Sequence, residues 1–117
     1  MGKNFTDLEI YQLAENLILK IYKVSQSFPK DEIYGINSQL RRVAVSIALN
    51  IAENYGRYHY KDKILFLYNA RGSLLETKSA VLISYKLSFI KEKENFTLEL
   101  DNLGIKLNNY INFLRRK

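Results

Sequence analysis

Five polar residues recur along one stretch of the chain at spacings of four, four, three and four: Arg42, Ser46, Asn50, Glu53 and Arg57. On a helix this spacing gathers them on one face, because residues three and four apart are surface neighbours. A serine in such a row becomes a nucleophile only with a base in hydrogen-bond reach and a group that orients the base. The single histidine, His59, lies thirteen residues beyond Ser46 and past the expected end of the helix. The stripe therefore reads as a capping or interhelical hydrogen-bond network, since buried polar groups must find partners or bear their desolvation. Arg42 and Arg57, one turn from Ser46 and Glu53, are the expected partners.

Other catalytic patterns are weak or missing. One histidine and no cysteine leave only carboxylates for a metal, and the Glu-x-x-His pairing of di-iron bundles does not occur. Ser27–Lys30 and Ser88–Lys91 both fit S-x-x-K, yet the companion motifs of that chemistry are absent. Neither a G-x-G-x-x-G nor a Walker loop is present. No enzyme activity, metal or cofactor is expected.

Charge says more. Eighteen Lys and Arg against twelve Asp and Glu give a net +6. That balance favours acidic partners, nucleic acid foremost and anionic membrane second. Between Arg57 and Lys91 there are seven basic residues and two acidic ones, Asp62 and Glu76. Nine tyrosines, Tyr55, Tyr58 and Tyr60 among them, offer rings on which bases stack. A tyrosine more often rims a core with its hydroxyl wet, and that reading is preferred.

These residues need positioning, and the apolar periodicity predicts how. The 117 residues fit one domain, 1–117, with an all-α, antiparallel up-down-up-down four-helix bundle as its fold. The first helix is expected from Thr6 or Asp7 to Gln26, opened by a Thr6–Glu9 capping box and stopped by Pro29. The second is expected over Asn37–Tyr55, closing at Gly56. The third is expected from His59–Lys61 to Ile90, with a stripe of Leu65, Tyr68, Gly72, Leu75, Ser79, Leu82 and Phe89, and Leu67, Leu74 and Val81 alongside. Gly72 and Ser79 on that stripe predict close approach of a neighbouring helix. The fourth is expected over Thr97–Leu114 through Leu100, Leu103, Leu107, Tyr110/Ile111 and Leu114. Basic residues Arg115, Arg116 and Lys117 then complement its negative end.

The second helix is apolar on two sides. Ile36, Leu40, Val43, Ala44, Ile47 and Ile51 form the core face, while Val45, Leu49 and Ala52 form another strip nearly opposite. A four-helix bundle covers about half of each helix, so the second strip is expected to meet another copy of the chain.

Phe28-Pro29 with Glu32, Tyr34 and Gly35, the run QLRRVAVSIALNIAENYGR from Gln39 to Arg57, and Gly72-Ser73 with Glu76 together carry a resemblance. The chain resembles, over nearly its whole length, the four-helix bundle proteins encoded by intervening sequences in bacterial 23S ribosomal RNA genes. The Ser46-Ile47…Asn50-Ile51-Ala52-Glu53 run is the most specific part. Where the family usually has glycine after the glutamate, this chain has Asn54, a residue that tolerates unusual backbone angles. The resemblance implies an antiparallel bundle assembled as a basic homopentamer without known catalytic activity. It also implies kinship with accessory proteins of reverse transcriptases in diversity-generating retroelements.

The expectation is thus a non-enzymatic, cytoplasmic homo-oligomer, pentameric by resemblance, that binds RNA or DNA through phosphates. Arg41, Arg42, Arg57, Lys61 and Lys63 are the expected charge suppliers, acting on phosphate rather than reading bases. The rival is a protein-interaction adaptor for a polymerase such as a reverse transcriptase. The N-terminal residues lack an apolar signal core, and every apolar stretch is broken well before the roughly 20 residues that span a bilayer, so no membrane partner is expected.

Overall fold

A computed structural model describes residues 4–117. It contains four long helices: α1 (Glu9–Ser25), α2 (Ile36–Gly56), α3 (Tyr60–Lys86) and α4 (Glu94–Arg115). Single 3-10 turns lie at Phe5–Asp7 and Lys30–Glu32. α1 and α3 each pack against both α2 and α4, so every helix touches two neighbours around a shared core. Short connections make successive helices antiparallel, giving the expected all-α up-down-up-down bundle. The long dimension of the 46 × 23 × 22 Å body follows the helix axes.

The core is filled by Leu17 and Ile21 of α1, Leu40, Ile47 and Ile51 of α2, Leu67 and Val81 of α3, and Leu100, Leu103, Leu107 and Ile111 of α4, all fully buried. Each such side chain contributes about 1.5–3 kcal/mol by leaving water. The predicted core faces of α2 and α4 are the observed ones, with Ile36 and Tyr110 at the half-buried margin.

Apart from Tyr68 and Phe89, which pack half-buried against the core, the predicted stripe of α3 faces outward. Leu65 and Leu75 are 56% and 62% exposed, and Gly72 and Ser79 are exposed beside them. A Cβ added to Gly72 would meet nothing within 4 Å among the described residues, so none of the other helices approaches it. The buried row is the one alongside: Leu67, Ala70, Leu74, Thr77, Val81 and Ser84, with Ser73 and Ala80. Both rows repeat at three and four, so periodicity alone could not choose between them. Hydroxyl side chains disguised the true core row. Thr77 Oγ1 hides its polarity by donating to the Ser73 carbonyl one turn back at 2.7 Å.

Several helix ends also differ from expectation. The capping box belongs to the preceding 3-10 turn, where Asn4 Oδ1 accepts from the Thr6 N–H at 2.8 Å and Asp7 accepts from the Asn4 N–H at 3.0 Å. α1 then starts at Glu9 without a side-chain cap. α3 stops four residues before Ile90, because Ser88 adopts φ 66°. The Phe89 N–H returns to the Ser84 carbonyl at 2.9 Å and the Ser88 N–H to the Tyr85 carbonyl at 2.9 Å, a Schellman closure built without glycine. α4 begins three residues before Thr97, whose hydroxyl donates to the Glu94 carbonyl at 3.1 Å inside the first turn. Asn54 is helical, buried and at negative φ, so its tolerance of unusual angles is unused.

Candidate nucleic-acid interface

The polar stripe of α2 forms half of the expected network. Ser46 Oγ lies 2.8 Å from Ser73 Oγ across the α2–α3 contact, and Asn50 Nδ2 donates to the Ser46 carbonyl at 2.9 Å and to Ser46 Oγ at 3.1 Å. Arg42 takes no part, donating instead to Gln39 Oε1 at 2.7 Å. Arg57 pairs with Glu53 one turn back. The Glu53 side chain is 49% exposed, so within the single chain it is a surface carboxylate. His59 stands exposed at the start of α3, edge-on to Tyr58, and the Ser46 hydroxyl is bonded to Ser73 and Asn50 rather than to a base. Among the described residues no group of three His, Cys, Asp or Glu is placed to hold a metal.

The five candidate cations separate into two groups. Arg41 and Arg42 lie in the first half of α2, and Arg42 is roughly 22 Å along the helix from Arg57 at 1.5 Å per residue. Arg57, Lys61 and Lys63 gather where α2 passes into α3.

Two of the five are engaged in holding the fold. Arg41 stacks its guanidinium 4.4 Å from the centre of the Tyr22 ring. Its Nε donates to Ser25 Oγ at 2.7 Å and its Nη2 to the Tyr22 carbonyl at 3.3 Å, which clamps α2 onto the end of α1. Asn37 Nδ2 adds a bond to the Ser25 carbonyl at 3.0 Å. Lys63 donates from Nζ to the carbonyls of Asn54 and Tyr55 at 3.3 and 3.2 Å. A cation over the final carbonyls of a helix meets the negative end of its dipole, and this cap is how α2 ends. Arg57 lies over the Phe66 ring at 4.6 Å. Arg42 and Lys61 are exposed, and among the described residues neither meets a carboxylate within ion-pair distance.

Two further cations join this end of the bundle. α4 runs antiparallel to α3, so its last turn returns beside the first turns of α3. There Tyr68 is flanked by Arg71, with its guanidinium 4.8 Å from the ring centre, and by Arg115 at 5.5 Å. Arg71 Nη1 donates to Asn108 Oδ1 at 3.0 Å, and Arg115 donates to the Tyr68 hydroxyl and, at 3.5 Å, to Asn112 Oδ1. Lys61, Asp62, Ile64 and Leu65 complete an open cavity of about 390 Å³ with Tyr68 and Arg115. Sequence reasoning counted Arg71 in a basic run and gave Arg115 to the helix dipole. Only the pairing of α3 with an antiparallel α4 brings them together.

Three ion pairs join helices elsewhere on the surface. Lys20–Glu99 and Lys106–Glu9 link α1 to α4, and Lys78–Asp101 links α3 to α4. Tyrosines also cluster at the basic end: burial, then the proximity of Tyr55 and Tyr60, raises the Tyr110 hydroxyl above its ordinary pKa, so it is neutral at physiological pH.

No helix among the described residues is long and apolar enough to cross a membrane. A comparison with curated proteins finds no match. Residues 6–109, nearly the whole bundle, match the family described as 23S rRNA-intervening sequence protein. The doubly apolar α2, the four-helix architecture and this match agree, and the chain belongs to the 23S rRNA-intervening sequence protein family.

Proposed function

We propose that this protein is a non-enzymatic bundle that assembles with copies of itself and binds RNA or DNA through phosphate contacts. The observation that carries the reading is a cluster of cations: Lys61, Arg71 and Arg115 lie together at one end of the bundle, and among the described residues none of the three meets a carboxylate within ion-pair distance. Neutralising phosphates releases condensed counterions, so such cations bind nucleic acid with little regard to base identity. Self-association is supported by the outward apolar residues. Leu49 on α2 is 63% exposed, between Val45 and Ala52, and Leu75 stands out from α3. Apolar residues exposed on both α2 and α3 suit a contact between copies, and the family resemblance implies five copies. The same exposed leucines favour a second reading, in which they seat a protein partner such as a reverse transcriptase.

Charge reversal separates the two readings. Arg57→Glu with Lys61→Glu, leaving the Lys63 cap intact, is expected to abolish binding of a fluorescent single-stranded RNA at moderate salt while keeping the far-ultraviolet circular dichroism of the wild type. Unchanged anisotropy titrations with that variant would overturn the phosphate reading.

A further inference from the structure

We infer that Tyr68, Arg71 and Arg115 form a preorganised clamp for the phosphodiester backbone of a nucleic acid strand, laid across the groove between α3 and α4. The inference rests on the nucleic-acid reading above and assigns it a site. What matters is how the two guanidiniums are held. Lys20, Lys78, Lys106 and Arg57 each meet a carboxylate, which offsets their charge, and Arg41 is spent on clamping α2 to α1. Arg71 and Arg115 are fixed instead by neutral groups. Asn108 and Asn112 accept from them, the Tyr68 hydroxyl accepts from Arg115, and the Tyr68 ring lies beside both planes. Each arginine therefore keeps its full charge and loses much of its rotamer freedom before any ligand arrives.

That combination suits phosphate. A guanidinium presents a planar fork of donors that matches phosphate oxygens, and one held in place loses less entropy on binding. Arg71 spends Nη1 on Asn108, leaving its other nitrogens for a ligand. Lys61 continues the line: it precedes Arg71 by ten residues of α3, roughly 15 Å at 1.5 Å per residue, so the three cations span several phosphates of one strand. The sole acidic group in the cavity wall is Asp62, at the Lys61 end. Tyr68 here is a positioning residue, with its ring occupied by the two guanidiniums rather than open to a base.

The test compares two variants of equal net charge: Arg71→Gln with Arg115→Gln, and Lys86→Gln at the far end of α3 with Lys91→Gln in the connector that follows it. Binding of a fluorescent oligouridylate is followed by anisotropy across a salt series, with light scattering to confirm the same assembly. The arginine variant is expected to lower the slope of log affinity against log salt by about 0.7 for each phosphate of a single strand that it no longer neutralises. The lysine variant is expected to stay near wild type. Tyr68→Leu is expected to weaken binding several-fold with the slope unchanged, because the charges remain and only their order is disturbed. Equal losses in the two charge variants, or none in either, overturn the clamp while leaving nucleic-acid binding standing. Absence of binding by the wild type at low salt overturns the function itself, and the clamp with it.

Discussion

At the scale of single residues, the same side chain type serves opposite purposes a few positions apart. Lys61 and Lys63 look alike in the sequence, both basic and both near the start of α3. Lys61 projects into solvent, whereas Lys63 folds back onto the last carbonyls of α2. Removing a cation from a helix C-terminus forfeits about 0.5–2 kcal/mol of hydrogen bonding and dipole interaction. Lys63→Ala is therefore expected to lower stability by that amount in urea denaturation, and Lys61→Ala to leave it within about 0.5 kcal/mol of wild type. Equal effects would show that Lys63 is not a cap. Glu53 behaves in a related way: a carboxylate on an apparently buried stripe is half exposed and meets Arg57 at the surface, where such pairs are worth little.

At the scale of elements, α2 and α4 were legible and α3 was not. In α4 four leucines at helical spacing, Leu100, Leu103, Leu107 and Leu114, named the core directly, and the exposed Leu98 falls outside that spacing. In α3 large apolar residues occupy both faces, and the inner row mixes them with Ser73, Thr77 and Ser84; Ser73 and Thr77 are accommodated by bonds made between and within helices. No single-helix pattern carries that information. The arginine pair at Tyr68 was hidden for the same reason, since Arg71 and Arg115 are forty-four residues apart and meet only through antiparallel packing. The corrected face yields a test at Gly72. Its Cβ position is open, so Gly72→Ala is expected to stabilise the helix by about 0.8–1 kcal/mol through propensity alone. Destabilisation in thermal unfolding, with loss of assembly, would mean that another copy packs closely at this glycine.

At the scale of the whole molecule, the proposal joins the exposed strip on α2 to the basic end of the bundle. Assembly of copies would multiply the cations presented to one strand, so affinity would depend on copy number as well as on each site. Leu49→Asp is expected to give monomers in light scattering with helical content retained, because Leu49 is 63% exposed in the single chain and holds nothing inside it. An assembly unchanged by this substitution would place the contact elsewhere. The central claim, binding through phosphates, is tested most directly by the salt dependence of wild-type affinity for an oligouridylate. Three cations at the α3–α4 end, Lys61, Arg71 and Arg115, predict a straight log–log plot that falls with a slope of about 2 or steeper, at ~0.7 for each neutralised phosphate of a single strand. Affinity that stays flat across the salt series, or no binding at the lowest salt, contradicts the account.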